Sequence, residues 1–259
     1  DEAVAALLNY QAANGGFGLW GPGSGNLWLD SYVTDFLSRA VAQGHEVPRR
    51  ALGLALDNLA NTLAYTDEGA NGGADAAYAL YVLARNRRAA IGDLRYYADS
   101  RLEAFTAPLA RAQLAAALAL YGEKARAEAT FEAGIERLAA EDGEIERRND
   151  YGSRLRDGAA MLTLAAEAGA PLSPAPRLID FVATERERAG QTSTQENAWL
   201  LMAASGLISA ATPADMLLDG APLSGAPMRR FDGAALAQNP VTLTNRGTAP
   251  LQVVLTVTG

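Results

Sequence analysis

Asp75 to Arg85 reads DAAYALYVLAR, one acidic residue followed by an apolar run that meets no further charge until its last position. A helix with no polar face is buried on more than one side. The same pattern, a polar or acidic opening and then a long apolar run, occurs four more times. The other segments are Asp30 to Ala40 (DSYVTDFLSRA), Gln113 to Gly122 (QLAAALALYG), Asp157 to Glu167 (DGAAMLTLAAE) and Glu196 to Ser205 (ENAWLLMAAS). Successive openings lie 38 to 45 residues apart. A fixed period in that range marks stacked structural units. It is too long for one helix and a turn, and it fits a helix, a loop, an antiparallel helix and a second loop.

The spacing predicts ten helices before about residue 208, over 2–13, 28–43, 47–64, 74–87, 91–104, 107–121, 124–140, 155–168, 174–188 and 194–206. Gly44, Gly122, Gly169 and Gly206 stand where left-handed C-caps are wanted, and Pro48, Pro108 and Pro174 stand near helix starts. Ser193 or Thr194 can cap the last helix, with Glu196 in its first turn. Helices between the apolar ones, such as Lys124 to Ala140, carry one apolar stripe and a charged face. Alternation of buried and amphipathic helices predicts an inner ring packed inside an outer ring, a mainly α fold of α/α toroid type. An open solenoid is the competing arrangement, and tetratricopeptide repeats are disfavoured by the longer period.

After about Ala214 the pattern shortens. Met216 to Gly220, Met228 to Phe231, Val241 to Asn245 and Leu251 to Val257 read as short strands, the last two as a hairpin around Asn245-Arg246-Gly247. A few strands without a facing sheet make a poor domain, so this tail is expected to belong to a larger β-sandwich. The predicted division is a helical domain over 1–208 and a partial β segment over 209–259. The chain opens inside a helical pattern and stops on a strand pattern, which predicts a longer parent.

Composition excludes several chemistries. The net charge is −8 with no dense basic run, which argues against nucleic acid. The Arg85-Asn86-Arg87-Arg88 cluster is expected to answer a helix dipole in solvent. There is no cysteine, and His45 is the only histidine, so thiol nucleophiles and His/His or Cys zinc sites are not available in this sequence. His45 is expected just past a helix C-terminus. No apolar run reaches membrane-spanning length.

Trp20, Trp28, Asp30 and Tyr32 cluster around a glycine-rich loop, Asn14 to Gly23. Aromatic platforms with paired carboxylates on an α/α toroid are how many glycosidases hold and cleave sugars. The plainer reading is that the aromatics wedge the loop against a helix end and that Asp30 caps that helix. Asp142, Glu144, Glu146, Asp150 and Asp157, broken by Arg147, Arg148, Arg154 and Arg156, match no EF-hand spacing and read as compensated surface charge. Gly15-Gly16-Phe17-Gly18 is no phosphate loop, because no Gly-Lys-Ser/Thr follows. Met161, Met202 and Trp199 are expected in the core.

Several segments resemble, in order, the thioester domain of the alpha-2-macroglobulin family, and most closely its bacterial branch. They are Leu7 to Trp20 (LLNYQAANGGFGLW), Trp28 to Gly44 with Val47-Pro48, Asp150 to Leu162 (DYGSRLRDGAAML) and Ser193 to Glu196 (STQE). The tail is similar to strands of the CUB-like domain that follows. The resemblance implies a fragment of a periplasmic, broad-spectrum protease-trapping inhibitor, with proteases and the neighbouring CUB-like and macroglobulin domains as partners. In that family an internal thioester between a Cys and a Gln is exposed when a protease cuts a bait segment. Its Cys-x-Glu-Gln motif is expected upstream of Asp1, and Gln195, in a helix-start motif, does not replace the thioester Gln. The implied domain has twelve helices in six hairpins; ten here correspond to an incomplete ring. This piece is therefore expected to hold no catalytic, cofactor-binding or metal-binding residue. An incomplete ring would leave apolar helix faces at its seam and favour self-association. The alternative is a carbohydrate-active toroid enzyme with carboxylates near Trp20, Trp28 and Asp30.

Overall fold

The computed structural model describes residues 2–23, 25–67, 69–141, 152–168, 175–210, 216–223, 231, 233 and 240–247. Ten α-helices are present among them. They are α1 (Glu2–Leu8), α2 (Leu27–Ala42), α3 (Arg49–Leu63), α4 (Ala74–Arg85), α5 (Ile91–Ser100), α6 (Pro108–Leu120), α7 (Lys124–Ala140), α8 (Arg154–Glu167), α9 (Ala175–Arg188) and α10 (Thr194–Ala210). The chain divides into two compact units, Asp1–Leu207 and Ile208–Gly259.

The helices of the first unit form two layers, as the alternating hydrophobicity requires. In α4 ten of twelve residues are buried, in α6 ten of thirteen and in α8 eleven of fourteen. The intervening α3 and α5 bury only Ala55, Leu56, Asn58 and Leu59, and Leu94. Neighbours in the inner layer pack in sequence, α2 on α4, α4 on α6 and α6 on α8, while α3, α7 and α9 each lie against the inner helix they follow. Fully buried Ala112, Ala115, Ala116 and Ala117 keep α6 thin on every side, so neighbours approach closely. Gly158 serves the same end on α8, where a Cβ would come 3.0 Å from Phe181 and Val182 of α9.

The ends of the helices follow local chemistry. Past α2, Gly44 is left-handed (φ +86°), and the His45 amide bonds the Ala40 carbonyl at 2.9 Å, a Schellman closure. Gly122 ends α6 in the same way, with the Glu123 amide on Leu118. Arg87 does so after α4 at φ +59°, without glycine. Pro48 directly precedes α3 and Pro108 is the first residue of α6. Gly169 and Pro174 lie outside the described residues.

Four expectations are corrected. The first helix stops at Leu8, because Gln11 and Phe17 pair as a small antiparallel bridge and the Gln11 side-chain Nε2 donates to the Ala51 carbonyl at 2.9 Å. Gly206 caps nothing; α10 runs through it to Ala210. The fifth apolar helix is not buried all round: among the described side chains of α10 only Ala203 is buried, and Leu201 is 72% exposed. Asn26 caps α2, its side chain accepting from the Leu29 amide at 2.8 Å, and Asp30 does not.

The second unit holds a three-stranded antiparallel sheet of β1 (Met216–Leu218), β2 (Ala221–Pro222) and β3 (Leu243–Asn245), in the order β2-β1-β3. Asp219 and Gly220, both at positive φ, make the tight turn between β1 and β2. The predicted hairpin partner of β3, Leu251 to Val257, lies outside the described residues, as do Met228 to Arg230; β3 pairs with β1, Leu217 opposite Thr244.

Candidate functional site

The N-terminal ends of the five alternate helices meet at one pocket. Trp28 and Tyr32 come from α2, Ala74 and Tyr78 from α4, Leu109, Ala110 and Gln113 from α6, Arg156 from α8, and Gln195 and Trp199 from α10. The walls are aromatic: the Trp28 and Tyr32 rings stack with centroids 5.3 Å apart and planes 9° apart. The floor is polar, with Gln113 and Arg156 nearly inaccessible to solvent. The pocket volume is about 20 Å3. That is room for a water, whereas pockets that bury small molecules run from about 300 Å3.

The side chains around the pocket are tied down. Arg156 holds Asp157 Oδ1 through Nε at 2.8 Å and Nη2 at 2.5 Å. Both residues are buried, which corrects their assignment to compensated surface charge: a charge taken from water needs its partner beside it. The rest of the acidic stretch, Asp142 to Asp150, lies outside the described residues. Arg154 packs over the Phe181 ring and pairs with Glu185 at 3.4 Å. Ser153 caps α8 by accepting from the Arg156 amide at 3.0 Å and donates its hydroxyl to Glu196 of α10 at 2.6 Å. Glu196 accepts from the Ser193 amide at 2.6 Å and donates its own amide to the Ser193 hydroxyl at 3.2 Å, a capping box. Burial raises the Glu196 carboxyl, but the Ser153 and Ser193 hydrogen bonds outweigh it and hold it below the ordinary carboxylate value.

Asp30 sits one helical turn into α2 and is buried. Its Oδ1 accepts from the Phe17 amide at 2.7 Å and its Oδ2 from Asn58 at 2.8 Å. Burial raises its pKa, with these two bonds acting against the rise. Both oxygens are committed to fastening the glycine loop to α2 and α3, and Trp20 stands in solvent at 96% exposure. The geometry does not suit the paired-carboxylate alternative. Among the described residues no group of three or more His, Cys, Asp or Glu side chains could hold a metal. No helix of the described residues is long and apolar enough to cross a membrane.

A second polar cluster lies toward the C-terminal ends of the inner helices, and sequence reasoning did not assemble it. Asp35 of α2 accepts from Arg39 at 3.0 Å and from the Tyr78 hydroxyl at 3.1 Å. Glu167 of α8 accepts from Arg85 at 3.0 Å, from the Tyr81 hydroxyl at 3.3 Å and from Arg39. Burial, then the Asp35 charge, raises the pKa of both tyrosines, so they remain donors. Arg85 thus ties α4 to α8 through Glu167 rather than standing in solvent, a second correction. Its neighbour Arg87 stacks on Tyr121 and Arg88 pairs with Asp57. The available signal was charge at i, i+4 (Asp35 and Arg39) inside an otherwise apolar helix. Met161 is core as expected, whereas Trp199 is half-buried at the pocket.

An alternating two-layer helical array with helix N-termini gathered at one narrow pocket is an α-rich domain. The stretch of sequence belongs to the bacterial alpha-2-macroglobulin family. It is 34% identical over 214 residues to alpha-2-macroglobulin of Escherichia coli strain K12, covering 79% of this chain and 13% of that protein. The native conformation of the Escherichia coli protein superposes with a TM-score of 0.70 at 31% identity, over 84% of this chain and 14% of the other. The trypsin-activated form gives 0.68 at 33% identity, over 79% and 14%. The chain thus spans about one seventh of its relatives' length. No family model matches the sequence.

Proposed function

We propose that residues 1–208 are the helical scaffold around the thioester site of a bacterial alpha-2-macroglobulin that traps proteases in the cell envelope. The observation that carries this is the convergence of five helix N-termini, from α2 through α10, on one pocket. Five hairpins of an α/α toroid leave a place for a sixth beside α2 and α10. Both helices carry exposed apolar side chains: Tyr32 and Phe36 on α2, and Leu201 on α10. The chain contains no cysteine, so a Cys–Gln thioester would be contributed by another part of the parent. On this reading the piece performs no chemistry of its own. It positions the reactive segment, and residues 209–259 contribute strands to a CUB-like sandwich.

Proteases enter as partners through the relative that trypsin activates. The test uses the full-length protein carrying this chain. Incubated with trypsin, it is expected to form a complex in which the protease still cleaves small substrates and no longer cleaves large proteins. Prior treatment with methylamine should abolish any covalent component. Trypsin that keeps its full activity on a protein substrate would overturn the reading. Fractionation should place the protein with the periplasmic or inner-membrane material; recovery in the cytosol would remove the cell-envelope assignment.

A further inference from the structure

The loop that Asp30 fastens ends in two strongly exposed apolar side chains. Leu19 is 69% exposed and Trp20 96%. The loop is built stiffly beneath them. The Ala12 amide bonds the Gly16 carbonyl at 2.8 Å and the Gly18 amide the Tyr10 carbonyl at 3.2 Å, while Phe17 is buried. A Cβ on Gly15 would stand 2.1 Å from the Leu54 carbonyl oxygen, so the base of the loop lies directly on α3. No charged side chain occurs anywhere between Glu2 and Asp30, in a chain whose residues are 20% charged. A rigid, charge-free loop presenting Leu-Trp to water has the composition of an interface core and not of a solvated turn. Tryptophan is among the residue types enriched at binding hot spots, and a preorganised one loses little conformational freedom on docking.

We infer that Leu19 and Trp20 are the anchor by which this helical domain docks into an apolar pocket on another folded domain of the same polypeptide. The inference rests on the chain being part of a larger alpha-2-macroglobulin. Relatives devote about six sevenths of their length to other segments, which supplies the partner surface at high effective concentration. The chain's acidic balance and the loop's lack of lysine or arginine disfavour an anionic surface as the occupant.

Residue-resolved hydroxyl-radical footprinting, read by mass spectrometry, tests this. It is applied to the 259-residue chain and to the full-length protein, with an added dosimeter peptide as the common reference. The expected result is ready oxidation of Trp20 in the chain and loss of that oxidation in the full-length protein. In the full-length protein Trp20→Ala should expose Leu19 to oxidation, and Trp20→Phe should restore its protection. Equal oxidation of Trp20 in both would overturn the inference. So would protection in the isolated chain, whether it grows with concentration (a second copy) or not (a contact inside the chain). Trypsin capture is measured on the same preparation. Capture with Trp20 exposed ends the docking inference alone; absent capture with Trp20 protected ends the protease-trap reading alone.

Discussion

Ser153 and Glu196, 43 residues apart, share a 2.6 Å hydrogen bond that joins the N-cap of α8 to the capping box of α10. One carboxylate therefore serves two helix starts beside the pocket, and the serine hydroxyl both accepts from its own helix and donates to the next.

Glu196→Gln should cost about 1–2 kcal/mol at neutral pH, since it keeps the shape but loses a charge-assisted cap. The effect has a defined pH signature. The folded carboxyl lies below its ordinary value of 4.5, so its contribution is present above that value and is lost as pH falls through the folded value. Thermal melts from pH 7 down to pH 3 should show the parent losing more stability below about pH 4.5 than the glutamine variant. Parallel curves would show that the carboxylate carries no such role.

Asp30 predicts the opposite sign. Its folded pKa is raised above 3.8, so the folded state holds its proton longer, and this term weakens stability as pH rises from 3.8 through the folded value. Asp30→Asn removes that slope. The amide oxygen can still accept from Phe17, but its NH2 group faces the donor of Asn58, for a net loss of about 1–3 kcal/mol by urea denaturation. Asp30→Asn with unchanged stability and unchanged proteolysis of the glycine loop would refute the fastening role.

Glu167 accepts from Arg39, Arg85 and Tyr81 on two neighbouring helices. Its removal leaves two guanidinium groups facing each other. The side chains of Arg39, Arg85 and Glu167 are 18%, 21% and 28% exposed, so water offsets part of the loss. Glu167→Ala should cost about 1–3 kcal/mol, less than a fully buried pair. Combining it with Arg85→Ala should give a loss smaller than the sum of the two single losses. Strict additivity in that double-mutant cycle would dissolve the network.

The layered fold was legible because apolar runs recur at the period of a helical hairpin, and nine of the ten helices fall near their expected bounds. What was not legible depends on partners distant in sequence. The run through Ala13 looks helical until Gln11 finds the Ala51 carbonyl and Phe17 finds Asp30. Arg85 looks like a terminal dipole partner until Glu167, 82 residues later, lies beside it. Asp157 reads as one of a surface run, yet α8 is buried along eleven of its fourteen residues and Asp157 pairs with Arg156 inside it. The pocket itself needed Trp28 and Trp199 to be seen on one rim, a relation that periodicity alone does not encode.

Gly15 offers a test of the loop base that does not involve charge. It adopts φ +94°, which an L side chain rarely tolerates, and an added Cβ would overlap the Leu54 carbonyl on α3. Gly15→Ala should therefore cost several kcal/mol, about 2–4, through strain and displacement of the hairpin. Gly53→Ala on the same helix is the control: nothing lies within 4 Å of its added Cβ, and helix propensity favours the change by about 1 kcal/mol. Similar melting temperatures for the two variants would mean that the glycine loop does not rest on α3 in solution.

The exposed apolar side chains of α2 and α10 predict that the isolated chain self-associates. Phe36 is 38% and Leu201 72% exposed, and Tyr32, which lines the pocket, is 44% exposed. Contiguous apolar patches beyond a few hundred Å2 are uncommon on soluble monomers. The isolated chain is therefore expected to bind an environment-sensitive hydrophobic dye and to show concentration-dependent light scattering. Phe36→Glu with Leu201→Glu should suppress both while leaving helicity unchanged, because neither side chain is part of the buried core. A monodisperse, dye-free monomer would mean that these side chains are covered within the chain itself, and the incomplete-ring account would lose its support.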